Sequence, residues 1–509
     1  MPTSVSDVLG WLQAAAPAAH LCSDSRAVGA GDVFLAYPGD SADGRHYISQ
    51  AIARGARAVV YEAEDFSWDA GWTVPSLAIT GLKKLAGPIA AARYGHPDEA
   101  MFSVAVTGTN GKTSCTQWLG RALSRLGQPT AVIGTLGAGL FRAGADQGLD
   151  ATGYTTPDAV ILQRRLAALR DQGAKALAIE ASSIGLDQGR LNGMHFDVAV
   201  FTNFTRDHLD YHGSMEAYEE AKRMLFDWPG LSQAVINLDD AMGQRLVGHL
   251  RTSRPALPLL GYTVGAAHAP DGVAALRASE IRSSHGGTAF RLDAPQGSAQ
   301  VKTQLIGQFN VSNVLAVLGV LMARGIDFRT ALDAVEALTP VPGRLQQLGG
   351  QDAPLMVIDY AHTPDALEKT LDTLRQVARQ RGGQLWCVFG CGGDRDPGKR
   401  PQMGAAAQAA DHVIVTSDNP RSEDPAAIVA QVVAGIDRNK LKGDALQVIE
   451  DRAAAILWAG RHAAKNDVVL LAGKGHEAYQ EIKGKKLPFL DADHAALALA
   501  ARATMKGTI

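Results

Sequence analysis

The segment Val104-Ala105-Val106-Thr107-Gly108-Thr109-Asn110-Gly111-Lys112-Thr113 constrains the fold more than any other: an apolar, β-rich run enters a glycine-containing turn that closes on Lys and Thr. Gly108 and Gly111 let backbone N–H groups approach phosphate oxygens, Lys112 brings a point charge, and the Thr113 hydroxyl suits Mg²⁺. Beyond the turn, Trp118, Leu119, Ala122, Leu123 and Leu126 recur at helical spacing up to Gly127, a stop signal. A strand, a turn and a helix N-terminus together predict a nucleoside triphosphate site. The full G-x-x-x-x-G-K-[ST] pattern needs Gly at position 106, where this chain has Val106, so the loop is a shortened relative of a P-loop.

At 509 residues and 46% hydrophobic content the chain is long enough for two to four domains, each with its own core. A net charge of −3 without long charged blocks argues against nucleic acid or a membrane surface as main partner. Cys22, Cys115, Cys387 and Cys391 form no C-x-x-C pair and are too few for a disulfide framework, which fits a reducing compartment. No Lys or Arg precedes Arg26, and no apolar run reaches the ~18 residues that span a bilayer. A cytoplasmic protein with no membrane insertion is expected.

Residues 1–98 alternate short apolar runs with turns and read as a small α/β domain. From 99 to 339, strands at 102–107, 176–180, 197–202 and 234–237 alternate with helices, which predicts a mostly parallel sheet. Polar alternation over 265–305 predicts an antiparallel insertion. The junction Leu338-Thr-Pro-Val-Pro-Gly-Arg344 opens a third domain, 340–509. There, strands at 355–360, 385–390, 412–417 and 467–473 each end in a polar turn. Open parallel sheets bind ligands beyond the carboxyl ends of their strands, so the turns 360–365, 391–400, 418–424 and 473–477 should converge. Thr363-Pro364 and Asp424-Pro425 each read as an N-cap followed by Pro at the first helical position.

In the central domain Glu180 ends a strand and His208 follows another, at the sheet edge that holds the Lys112 turn. A carboxylate and a neutral imidazole there are candidate Mg²⁺ ligands, with Asp207, Asp210 and His212 as rivals. Lys222, with Glu219 at i−3 and a Glu219–Arg223 i,i+4 pair beside it, reads by residue pattern alone as a surface salt-bridge lysine.

Thr107-Gly-Thr-Asn-Gly-Lys-Thr113, Asp207-His-Leu-Asp210, Phe309-Asn-Val-Ser-Asn313, Asp359-Tyr-Ala-His-Thr-Pro-Asp365 and Gly473-Lys-Gly-His-Glu477, with Asp24-Ser-Arg26 upstream, together resemble the Mur ligases. These are ATP-dependent amide-forming enzymes of peptidoglycan precursor synthesis, and Asp418-Asn-Pro-Arg421 resembles the motif of members that add diaminopimelate. The resemblance implies three α/β domains: a UDP-substrate domain, a P-loop-like ATPase domain with a mostly parallel sheet, and a Rossmann-like domain for the incoming amino acid. It implies ATP contacts from Gly108, Thr109, Asn110, Gly111, Lys112, Thr113, Ser114, Asn310 and Arg344. For UDP-N-acetylmuramoyl-L-alanyl-D-glutamate it implies Ser23, Ser25, Asp40, Ser41, Ala42, Thr155, Thr156, Ser182, Gln188 and Arg190. Thr155 and Thr156 precede Pro157, which places them at a helix N-terminus by sequence. For meso-2,6-diaminopimelate it implies Arg395, Asp418, Asn419, Pro420, Arg421, Gly473 and Glu477.

The resemblance reverses the pattern reading of Lys222, which in similar ligases is carbamylated and joins Thr113, Glu180 and His208 as a Mg²⁺ ligand. Lys112, His208 and Lys222 are then the residues expected at the phosphoryl-transfer step, and His362 is a possible base. Two departures stand out: Tyr154 where relatives often have Asn, and Gly343-Arg-Leu-Gln346 for a common Gly-Arg-Met/Phe-Glu. A monomer is expected. A lysine-adding or folylpolyglutamate-type ligase and a P-loop kinase remain alternatives.

Overall fold

The computed structural model describes residues 4–39, 42–284, 286–441 and 443–506. Three α/β domains follow one another. The first is a four-stranded parallel sheet of Leu21–Cys22, Val33–Ala36, Ala58–Glu62 and Ser76–Ile79, in that order, with the helices Val5–Ala15 and Leu82–Arg93 packed on it.

The central sheet has eleven strands, and its middle decides where the site lies. Phe102–Thr107 is flanked in parallel by Val198–Phe201 and Ala176–Glu180, with Phe201 opposite Thr107 and Glu180 opposite Val106. The three carboxyl ends therefore reach one edge together. All six residues of Phe102–Thr107 are buried, as expected of a strand covered by helices on both faces. Its helix, Lys112–Arg125, buries Trp118, Leu119, Ala122 and Leu123 of the predicted stripe and Cys115 as well, while Leu126 caps its end half-buried. Each such large apolar side chain contributes roughly 1.5–3 kcal/mol when fully buried, enough for packing rather than intrinsic propensity to fix the helix in place. The polar alternation of 265–305 resolves into the antiparallel strands Ala274–Ser284, Gly287–Ala294 and Gly297–Thr303, which extend the central sheet at one end.

The third domain has a six-stranded sheet in the order Gln346–Gly349, Leu355–Asp359, Val468–Ala472, Leu385–Phe389, His412–Val415 and Leu446–Val448, antiparallel only at its first pair. Asp359 pairs with Ala472 and Phe389 with Val415, so the four polar turns do leave the same edge. Of the two expected caps, Thr363 accepts from the Ala366 N–H, whereas Asp424 precedes Pro425 without making a side-chain cap bond. Thr155 and Thr156 are also placed differently from the sequence expectation. The helix they precede is Ala159–Asp171, and Asp158, not the Thr-Pro step, caps it through Val160 N–H. No helix among the described residues is long and apolar enough to cross a membrane.

Candidate active site

The nucleotide loop is braced from the neighbouring strand. Thr109 N–H donates to Asn203 O at 2.8 Å and Asn110 N–H to Asn203 Oδ1 at 2.9 Å, while Thr202 Oγ1 and Asn203 Nδ2 donate to Asn110 O at 2.6 and 3.0 Å. Gly108 has φ +143°, and a Cβ there would land on the Thr202 hydroxyl, so both backbone angle and space demand glycine. Neither Thr202 nor Asn203 was singled out by sequence, because their role is to meet a loop some 90 residues away.

Lys112 Nζ donates to the carbonyls of Gly108 at 2.8 Å and Thr109 at 2.9 Å. Burial lowers its pKa, against the pull of Glu180 and Asp207. Thr113 and Ser114 are buried at the start of the helix, and Arg344 Nη2 donates to Thr113 Oγ1 at 3.3 Å. That guanidinium also lies 4.4 Å from the centroid of the Tyr360 ring, so one side chain joins the nucleotide loop to the third domain. Asn310 is buried and donates to Ile306 O at 2.9 Å.

Lys222 is not on the surface. It is 1% exposed, its Nζ donates to Gly108 O at 3.0 Å, and it sits 4.3 Å from the centroid of the Tyr218 ring. Burial and then the nearby Lys112 charge hold its pKa well below that of an ordinary lysine, favouring the neutral amine. The pattern reading fails because its neighbours pair elsewhere: Glu219 with Arg245, and Arg223 with Glu220 and Asp227.

Glu180 is buried, accepting at Oε1 from Thr135 N–H at 2.8 Å and at Oε2 from Thr135 Oγ1 at 3.0 Å. His208, at φ +53°, is half-buried, and desolvation of its ring with the charges of Lys112 and Lys222, only partly offset by Asp207 at 3.4 Å, lowers its pKa to about 4, which favours the neutral imidazole. Burial alone would raise the Asp207 carboxyl, but the close approach of His362 and the charges of His208, His362 and Lys399 hold it well below the usual range. His362 Nε2 lies 3.6 Å from Asp207, and its Nδ1 is 2.9 Å from Tyr360 O. Of the other rivals, Asp210 is exposed and His212 bonds to Ser183 at 3.0 Å. Among the described residues no three His, Cys, Asp or Glu side chains gather as a metal site. Glu180 and neutral His208 nevertheless suit a hard divalent cation, and a carbamate on Lys222 would add an anionic oxygen.

Toward the first domain, Asp158 ties the two domains together, accepting from Ser23 Oγ at 2.6 Å and Tyr37 OH at 2.9 Å. Ser25 donates to Gln50 at 2.8 Å, and Ala42 is exposed. Asp40 and Ser41 lie outside the described residues. Thr156 Oγ1 donates to Glu180 O at 2.7 Å and lies 2.9 Å from Ser182 Oγ, and Thr155 Oγ1 is 3.0 Å from Thr135 Oγ1. Arg190 is held by Thr156 O at 3.0 Å and Gln188 Oε1 at 2.8 Å, over the ring of Tyr154, which is 63% exposed. The Tyr154 departure thus supplies a flat support for a cation.

In the third domain Asn419 Nδ2 donates to Glu477 Oε2 at 2.7 Å, and the fully buried Lys474 donates to Asn419 Oδ1 and Glu477 Oε2, both at 3.1 Å, with Asp418 4.0 Å away. Lys474 lies inside a motif quoted above yet was assigned no role. Gly473, at φ +108°, lets the chain pass Asp418, whose Oδ2 would be 2.5 Å from a Cβ. Arg421 Nη1 donates to Gly393 O at 2.7 Å, and Pro420 O abuts Gly393. Arg395 is exposed and donates to Asp394 O at 2.8 Å.

Three family models match along the chain: the Mur ligase family catalytic domain over 18–94, the Mur ligase middle domain over 106–321, and the Mur ligase glutamate ligase domain over 343–475. A protein of Janthinobacterium sp. (strain Marseille) named UDP-N-acetylmuramoyl-L-alanyl-D-glutamate–2,6-diaminopimelate ligase is 68% identical over 98% of both chains. The chain belongs to the Mur ligase family. A solved structure of a ligase with the same name as that relative is 38% identical over 95% of both chains, with a TM-score of 0.65. A Mur ligase from Thermotoga maritima, MurF, solved in complex with ADP, is 18% identical with a TM-score of 0.63 and supports the fold alone. The braced loop at Gly108 to Thr113 lies at the start of the segment that the middle-domain model matches.

Proposed function

We propose that this Mur ligase joins meso-2,6-diaminopimelate to the D-glutamyl γ-carboxylate of UDP-N-acetylmuramoyl-L-alanyl-D-glutamate at the expense of ATP, in peptidoglycan precursor synthesis. The observation that carries the reading is Arg344, which reaches from the domain of the Asp418–Arg421 loop to Thr113 of the nucleotide loop. That contact supports reading the amino-acid side and the triphosphate side as one site.

An oxygen of the γ-carboxylate attacks the γ-phosphorus, the bond to the β,γ-bridging oxygen breaks, and ADP departs from an acyl phosphate. The diaminopimelate amine then attacks the acyl carbon, phosphate leaves, and the nitrogen gives up a proton to the departing phosphate or to water. Lys112 and Arg344 place positive charge where the transferring phosphoryl group gains negative charge. For that, Lys112 exchanges its two loop carbonyls for phosphate oxygens. Burial favours the neutral amine of Lys222, which adds to CO₂ and passes a proton to water to give a carbamate. Thr113, Glu180, His208 and carbamylated Lys222 are the residues that would hold Mg²⁺, which when bound neutralises phosphate charge.

Arg190, steadied by Thr156, Gln188 and Tyr154, offers a cation to the nucleotide-sugar substrate, with Ser23, Ser25, Ala42, Thr155 and Ser182 around it. Arg421 recognises the distal carboxylate of diaminopimelate, which lysine lacks, and Asp418 and Glu477 face its ammonium groups. Four free, buried cysteines fit a reducing cytoplasm, and we read the enzyme as a monomer.

ADP release measured with the UDP-muramoyl dipeptide and either diaminopimelate or lysine tests this. Turnover with diaminopimelate alone is expected. Equal turnover with both would sink the specificity, and phosphate release without a new amide would favour a kinase or ATPase.

A further inference from the structure

Beside the Asp418–Arg421 loop runs the strand Tyr479–Ile482, half of a small hairpin with Lys485–Pro488. It bonds to that loop along its length. Gln480 Nε2 donates to Asp418 O at 2.7 Å, Glu481 N–H to Asn419 Oδ1 at 2.9 Å, Arg421 N–H to Glu481 O at 2.9 Å, and Lys483 N–H to Arg421 O at 2.6 Å. Arg421 has φ +52°, a conformation that a non-glycine residue keeps only when its surroundings hold it. The hairpin is what holds it.

The side chain is steered too. Arg421 Nη1 is engaged by Gly393 O, and Nε lies 3.7 Å from Glu481 Oε2, both side chains being mostly buried. Nη2 makes no hydrogen bond to the described residues. We propose that Glu481 is a positioning residue for amino-acid selection, fixing the guanidinium so that its open edge meets the distal carboxylate of the incoming amino acid. This rests on the diaminopimelate reading above.

Two effects of Glu481 oppose each other. Its charge repels an incoming carboxylate, while its contact removes rotamer freedom from a long side chain before the substrate arrives, which lowers the cost of binding. Geometry decides between them. At 3.7 Å on the Nε side, Glu481 is beyond direct hydrogen-bond reach and leaves the Nη2 donors without a hydrogen bond to the described residues, so orientation outweighs repulsion.

Glu481→Gln in the full-length enzyme keeps both main-chain bonds and removes the charge. Steady-state ADP release, titrating each substrate in turn, should show the apparent KM for diaminopimelate rising about tenfold with kcat and the other two KM values nearly unchanged. Glu481→Asp should recover part of that loss. An unchanged KM for diaminopimelate, or a rise shared equally by all three substrates with a lowered Tm, overturns the proposal. Wild-type enzyme that uses lysine as well as diaminopimelate would remove the underlying reading as well. Wild-type selectivity for diaminopimelate with an insensitive Glu481→Gln would remove only the inference.

Discussion

Lys112 and Lys222 direct their amines to one and the same oxygen, the carbonyl of Gly108, at 2.8 and 3.0 Å. Two buried ammonium ions on one acceptor repel each other, and burial penalises both charges, so the arrangement favours a neutral Lys222. A carbamate there would turn the repulsion into an ion pair with Lys112.

Carbamylation of Lys222 therefore makes activity depend on CO₂. Enzyme depleted of bicarbonate should lose most of its ADP release and regain it when ¹³C-bicarbonate is added, with a carbamate resonance in the NMR spectrum. Lys222→Arg, which cannot carry the group, should lose about 10²-fold or more in kcat, the scale of removing one electrostatic stabiliser. Full activity in CO₂-free buffer would contradict this.

Arg344 is asked to serve the triphosphate and to stack on Tyr360 at once. Arg344→Ala should lower kcat/KM for ATP about 10²-fold, an amount typical of losing one charged donor in the transition state. Arg344→Lys should recover little, since an ammonium has neither the planar face nor the fork. Retained Tm in both variants would show that the loss is not unfolding.

His476 is half-buried against Tyr360, its Nδ1 is buried without a hydrogen-bond partner among the described residues, and desolvation together with Arg344 and Lys474 lowers its pKa to about 3. Unfolded histidine titrates near 6.5, so as pH falls below that value the unfolded chain takes up a proton the folded one refuses. Stability is thus present above pH 6.5 and declines as pH falls toward 3. Between pH 7 and pH 5 this group accounts for about 2 kcal/mol. Urea unfolding of His476→Asn at both pH values should show that much less acid sensitivity; equal sensitivity would refute it.

Arg452 and Asp491 are both 0% exposed and bond through two contacts of 2.8 and 2.7 Å, with Arg452 also donating to Ala472 O at 2.9 Å. Asp491→Ala strands a cation in the core and should destabilise by about 3–5 kcal/mol, whereas Arg452→Met with Asp491→Leu should cost far less. Chemical denaturation of the single and the double variant checks the order.

Much of this was legible because it is local. The strand Phe102–Thr107 and the helix after it were predicted from an apolar run and a helical stripe, patterns that depend only on which faces are buried. The nucleotide loop was legible for the same reason, since glycine, lysine and threonine at fixed offsets already define its chemistry. Helix starts were half legible: Thr363 caps as predicted, but the Thr155-Pro157 step yields to Asp158, whose carboxylate caps Val160 and also bonds Ser23 and Tyr37 of another domain.

By itself, then, the sequence determined the alternation of strands and helices, the triphosphate turn, and the set of polar turns in the last third. The tertiary structure alone decided that Lys222 is buried on the Gly108 carbonyl rather than paired at the surface, that Lys474 gathers Asn419 and Glu477, and that a hairpin sets Arg421. The physical reason is that periodicity and turn chemistry are properties of neighbours in the chain. A buried charge takes its state from groups that only folding brings beside it.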